Sequence, residues 1–112
     1  MPPKKNRVSS TLFKELLQNA KHFSTYSLSF LYKKGGGEYK FSVVVPKKVQ
    51  KKAAKRNRIK RIVREIIKKE LTEQNINNLH FVVFVKQKVN FDKLNDFKSA
   101  ILRDFKYFLT KV

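Results

Sequence analysis

The side chains in this sequence best equipped for chemistry are cations and aromatics. Between Lys47 and Lys69 stand 12 Lys or Arg in 23 residues, against one acid, Glu65. Such side chains neutralise phosphates and release their counterions, and Arg can hold two phosphate oxygens at once. Asn57, Arg61, Arg64 and Lys68 recur at i, i+4, i+7 and i+11, which is one face of a helix. Arg58 and Lys69 widen that face. Asn57 can bridge a base edge or a 2′-hydroxyl. A solvated charged face is the ordinary reading of a basic helix, but it normally mixes Glu with Lys. Here the repulsion has no internal relief, so the pattern points to an anionic partner, with nucleic acid ahead of a membrane surface.

Catalytic groupings are missing by comparison. The two histidines, His22 and His80, have no metal-ligating partner at useful spacing. His22 reads as a helix-end or RNA-contacting residue and His80 as a structural one. A metal-dependent nuclease needs clustered carboxylates, and the eight acids are scattered. Asp92 and Asp96 share a helix face, which the positive N-terminus of a helix explains. Gly35-Gly36-Gly37 lacks the Gly-Lys-Ser/Thr ending of a phosphate loop and reads as a turn. Cysteine is absent, which removes disulfides and thiolate metal sites.

The elements that must position these groups follow from periodicity. Phe13, Leu16, Leu17 and Ala20 form one stripe on a short helix, with Ser10 as its expected N-cap. Tyr26, Leu28, Phe30 and Tyr32 alternate with Ser27, Ser29, Leu31 and Lys33, a strand. A second strand spans 39–45 and ends at Pro46, which has no N–H for a ladder. The two strands read as a hairpin across the glycines. A long helix is expected over 53–72, with Ile59, Ile62, Val63, Ile66, Ile67 and Leu71 on its apolar side. Residues 73–78 read as a loop. The run Phe81-Val82-Val83-Phe84-Val85 suits a strand covered on both faces. Leu94, Phe97, Ile101, Phe105 and Phe108 give a final helix starting near Asn90 or Asp92. A short extra strand near 22–25 is open. The fold class is α+β: a single-domain α/β sandwich on a small mixed sheet, in the order α-β-β-(β)-α-β-α.

A chain of 112 residues with 41% apolar residues makes one domain with one core. Residues 1–9 read as a loosely held basic arm and 10–112 as the RNA-binding domain. A net charge of +19 repels itself unless an anion neutralises it. No apolar run approaches the ~20 residues of a membrane span, and no signal-peptide stretch follows the basic start. The expectation is a soluble, cytoplasmic protein without a membrane partner or a small-molecule substrate. Tyr26, Phe30 and Tyr32 on one strand, with Phe13 and Leu17 on the first helix, allow two readings. They are core, or they form a face on which single-stranded bases stack beside lysines.

The segment Lys55-Arg56-Asn57-Arg58-Ile59-Lys60-Arg61-Ile62-Val63-Arg64-Glu65 closely resembles the Arg-Asn-Arg motif of the bacterial ribonuclease P protein component. Val45-Pro46-Lys47-Lys48-Val49 resembles that family's strand-ending segment. Pro46 stands where serine is usual, and Gln50 where glycine is common. The order and length of the elements extend the resemblance over nearly the whole chain. It implies a left-handed β-α-β crossover through the basic helix. It also implies a role as protein subunit of the enzyme that removes the 5′ leader from precursor tRNA. The family's RNA subunit carries catalysis, with magnesium bound mainly by RNA. Its partners are therefore ribonuclease P RNA and precursor tRNA. By motif, Lys55, Arg56, Asn57, Arg58, Lys60, Arg61, Arg64 and Lys68 would meet the RNA subunit. Phe13, Lys14, Leu17, Phe30 and Tyr32 would grip the leader between the first helix and the sheet. The competing reading is a ribosomal-type structural RNA-binding protein, which the composition alone supports equally well.

Overall fold

A computed structural model describes residues 6–112. Helix α1 (Ser10–Asn19) is followed by strands β1 (Lys21–Ser24), β2 (Leu28–Lys34) and β3 (Lys40–Val44). Then come helix α2 (Ala53–Glu73), strand β4 (Leu79–Val85) and helix α3 (Leu94–Lys111), the last entered through a 3-10 turn at Phe91–Lys93. The cap of α1 is Ser9 rather than Ser10: its hydroxyl accepts from the Leu12 amide at 3.1 Å. Asn90 starts the 3-10 turn by accepting from the Asp92 amide. Helix α2 stops where Asn75 takes φ 53° and the Ile76 amide reaches back to the Leu71 carbonyl, a left-handed C-terminal cap.

The sheet order is β1-β2-β4-β3. The hairpin expected between β2 and β3 does not form. Strand β4 lies between them, antiparallel to β2 and parallel to β3. A parallel neighbour needs a crossover connection, and α2 is that connection. The hairpin is instead β1–β2, so the extra strand near 22–25 is real. The first five residues of the basic arm lie outside the described residues. Its next residues are fastened: the Asn6 side-chain amide donates to the Tyr39 carbonyl at 2.8 Å, and Arg7 bridges to Phe41.

Cross-strand register divides the sheet into two unlike faces. Phe23, Leu28, Phe30, Tyr32, Phe41, Val43, Phe81, Val83 and Val85 share one face. Helices α2 and α3 cover it with Ile59, Val63, Ile67, Phe97, Ile101, Phe105 and Phe108. Phe30 and Phe108 stack with ring centroids 3.8 Å apart. The opposite face carries Ser29, Leu31, Lys33, Ser42, Val44, Val82 and Phe84, and α1 packs on its β2 and β4 portion. A ten-residue helix is only about 15 Å long, so cover there is partial. Leu16 and Val82 are buried, whereas Ser29, Leu31, Ser42, Val44 and Phe84 stay half-buried.

Candidate nucleic-acid interface

Helix α2 presents the basic face from one side of a 21-residue rod. Its inner side is fixed by Ile59, Val63, Ile67 and Leu71, each at most 1% exposed. That burial turns Asn57, Arg61 and Lys68 fully outward and leaves Lys60 and Arg64 half-buried. Amphipathic long side chains of this kind cover apolar surface with their stems and keep the charged head in water. Three members of the motif have a second attachment. Arg56 turns inward, and its Nη1 donates to the carbonyls of Gln50 at 3.1 Å and Lys51 at 2.6 Å, tying down the loop that enters the helix. Lys55 and Arg58 each hold their charge 5.3 Å from the centre of the Phe91 ring. A cation over an aromatic ring is stabilised by roughly 0.5–1 kcal/mol at an exposed site. Phe91 therefore props two basic groups of the motif, a role that its place before the last helix did not reveal.

The second candidate surface is redrawn by the two sheet faces. Phe13 is half-buried and Leu17 is 57% exposed on α1, the helix that packs on the partly covered face. Lys14 is exposed beside them. Phe30 and Tyr32 do not join them. Phe30 is 0% exposed within the α3 side of the core, and Tyr32 meets Phe108 edge-on at 5.3 Å on that same side. The largest aromatics of β2 go to the better covered face because burying them there removes more apolar area from water. The residues that share a face with α1 are Ser29, Leu31, Ser42, Val44 and Phe84, with His22 bonded to the Ser29 hydroxyl at 3.0 Å. Their signal in the sequence was the alternate set of the same strands. Lys33 belongs to it too, and its ammonium pairs with Glu15 of α1.

His80 sits at the edge of this face, under the turn after β2. A Cβ on Gly35 would lie 2.3 Å from its ring, so only glycine fits there. Burial and the ammonium groups of Lys40 and Lys33 push the His80 pKa down, against the opposing pull of the Glu38 backbone and the Glu15 carboxylate. Among the described residues, no three His, Asp or Glu side chains gather where they could hold a metal ion.

The chain matches the family model described as Ribonuclease P over residues 1–112. It belongs to the ribonuclease P protein family. The ribonuclease P protein of Staphylococcus aureus superposes with a TM-score of 0.72 over 94% of this chain and 93% of that one, at 17% identity. The ribonuclease P protein of Thermotoga maritima gives 0.60 over 81% of this chain and 89% of that one, at 26% identity. No curated protein matches the chain. As a member of the ribonuclease P protein family, the chain is an RNA-binding subunit of a tRNA-processing ribonuclease holoenzyme, and the family implies a ribonuclease P RNA as its partner. The match decides against a ribosomal-type structural protein. No helix among the described residues is long and apolar enough to cross a membrane.

Proposed function

We propose that this subunit grips RNA on two surfaces and leaves the chemistry to its RNA partner. The outward face of α2 docks the catalytic RNA through Asn57, Lys60, Arg61, Arg64 and Lys68, with Lys55 and Arg58 held ready by Phe91. The partly covered sheet face, walled by Phe13 and Leu17 and floored by Leu31, Val44 and Phe84, takes the single-stranded leader of precursor tRNA. The observation that carries the second assignment is the contrast between the faces. The centre of one, around Phe30, Phe81 and Val83, is packed to near-zero exposure, and the other leaves apolar side chains and serine hydroxyls half open. Stacking and apolar contact tolerate any base, which suits an enzyme that must accept many leaders. Ser29 and Ser42 add hydroxyls that can donate to or accept from whichever base edge arrives.

Among the described residues no acidic cluster gathers to hold magnesium. The magnesium ion is left to the RNA subunit, whose phosphates supply hard oxygen ligands. The contribution of the protein is then proximity: a leader held at one end fixes the scissile bond relative to the RNA.

Leu17 offers a clean test because its exposure makes a fold effect small. In the reconstituted holoenzyme, Leu17→Ser and Phe84→Ser should weaken binding of precursor tRNA with a leader of several nucleotides. Binding of mature tRNA should not change. Equal weakening for both RNAs would overturn the leader assignment.

A further inference from the structure

Tyr32 and the lysines around it form a cavity that neither surface above uses. It holds about 460 Å³ and is lined by Asn19, Lys21, Tyr32, Lys33, Lys34, Lys111 and Val112. The register explains the convergence. Lys21 pairs with Tyr32 across β1–β2, so both point to the α3 face of the sheet, and Lys34 lies two residues along the same face. Helix α3 ends over this spot, bringing Lys111. Lys33 projects to the other face, where Glu15 neutralises it, and no carboxylate side chain lines the cavity. Lys111 rests 5.2 Å over the Tyr107 ring, while Lys21 and Lys34 are exposed with no Asp or Glu side chain in the lining. A neighbouring cavity of about 280 Å³ shares Lys34 and Val112 and adds Ile76, Asn77, Asn78, Leu79 and Leu109. Together they make a groove past the end of α3.

The groove is remote from the motif end of α2. It adjoins the loop after that helix, where the Gly35 amide bonds to the Asn78 carbonyl at 2.9 Å. From Asn57 to the end of α2 at Glu73 is about 24 Å at 1.5 Å per residue, which separates this pole from Asn57. It is also on the opposite sheet face from Phe13 and Leu17.

We infer that this groove is a third RNA contact, which seats a nucleotide of single-stranded RNA with its phosphate between Lys21 and Lys34 and its base against Tyr32. Cations without a carboxylate partner favour an anion, and an aromatic wall beside them favours one that carries a planar ring. That combination is the means by which single strands are held without sequence preference. The volume falls in the range of about 300–1,000 Å³ typical of sites for small ligands, enough for one nucleotide. The assignment to RNA, as against a free mononucleotide of the same chemistry, rests on the proposed role in a ribonucleoprotein.

The full-length, isotope-labelled protein can be titrated in an NMR experiment with inorganic phosphate, with adenosine monophosphate and with a short oligouridylate. The oligonucleotide should shift the amides of Lys21, Tyr32, Lys34 and Lys111. The double variant Lys21→Ala/Lys34→Ala, altered only at exposed positions, should lose those shifts and keep the ones along Asn57–Lys68. The log–log salt slope of oligonucleotide binding should fall by about 0.7, the contribution of one single-strand phosphate no longer neutralised. Shifts at these residues with adenosine monophosphate or phosphate but not with RNA would overturn the RNA assignment, and no shifts with any probe would overturn the site. Missing shifts along α2 would instead count against the docking role of that helix, so the two failures are distinguishable.

Discussion

Asp104 is a carboxylate turned inward, 7% exposed, on the side of α3 that faces the sheet. It accepts from the Ser27 amide at 3.0 Å and from the Ser27 hydroxyl, and Arg103 donates to its other oxygen at 3.2 Å. Burial, the largest single influence, would raise its pKa, but the hydrogen bonds from the Ser27 hydroxyl and amide, Arg103 and Thr25 together hold it below the usual carboxylate value. Asp104→Ala leaves a buried amide unpaired and should cost about 1–3 kcal/mol, read as a lower denaturation midpoint. Its contribution is complete above the ordinary carboxylate pKa and disappears as acid protonates it, well below about pH 5. His80 acts in a different window. Its depressed pKa means that the unfolded chain binds more protons than the fold below about pH 6.5, so stability falls as pH drops through that range. Lys33, Lys40, Glu15 and the Glu38 backbone all bear on this ring. His80→Gln should flatten the pH dependence of the melting temperature between about pH 7.5 and 5.5, and an equally steep profile would contradict it. The sequence marks His80 as structural without its charged neighbours, and it does not mark Asp104 at all. Asp104 is one of several acids on a helix until the fold sets Ser27 against it. Phe30 shows the converse case: its type and parity are plain in the sequence, but not which face the helices cover. Phe30→Ala should cost about 3–5 kcal/mol, the range for emptying a buried aromatic position.

Helix α2 was the most legible element, because six apolar positions at the 3.6 period and a cationic opposite face specify both its span and its orientation. Arg61→Ala and Arg64→Ala should each lower the salt slope of RNA-subunit binding by about 0.7–0.9 with little change in stability. Arg56→Ala should behave differently, lowering the melting temperature, since its guanidinium holds the carbonyls of Gln50 and Lys51. A circular-dichroism melt beside each binding isotherm separates the two outcomes. The β elements were legible one by one and not as neighbours. Alternation gives a strand its two faces but says nothing of its partners. The glycine run after Tyr32 matches a tight turn, yet β4 enters between β2 and β3 through pairings far apart in sequence. Of the residues that the resemblance groups at the leader, Phe13 and Leu17 lie on α1, whereas Phe30 and Tyr32 lie on the sheet face opposite the one on which α1 packs.

Over the whole molecule, +19 on 112 residues is a self-repulsion that only an anionic partner relieves. Sulfate or phosphate at moderate concentration should raise the melting temperature of the free protein, since a ligand of the folded state adds about 2.7 kcal/mol at 100 times its dissociation constant. A midpoint that does not move between low salt and sulfate would contradict this. The same charge explains why the class of partner was readable from composition, whereas the fold around it came from the family motif and the periodicities together. The central claim is that this chain binds and positions while its RNA partner cuts. It is tested most directly by cleavage of precursor tRNA at low magnesium with the protein alone, a bacterial ribonuclease P RNA alone, and the two combined. The combination should release the 5′ leader, the RNA alone should release little, and the protein alone none. Cleavage by the purified protein without RNA would contradict the claim.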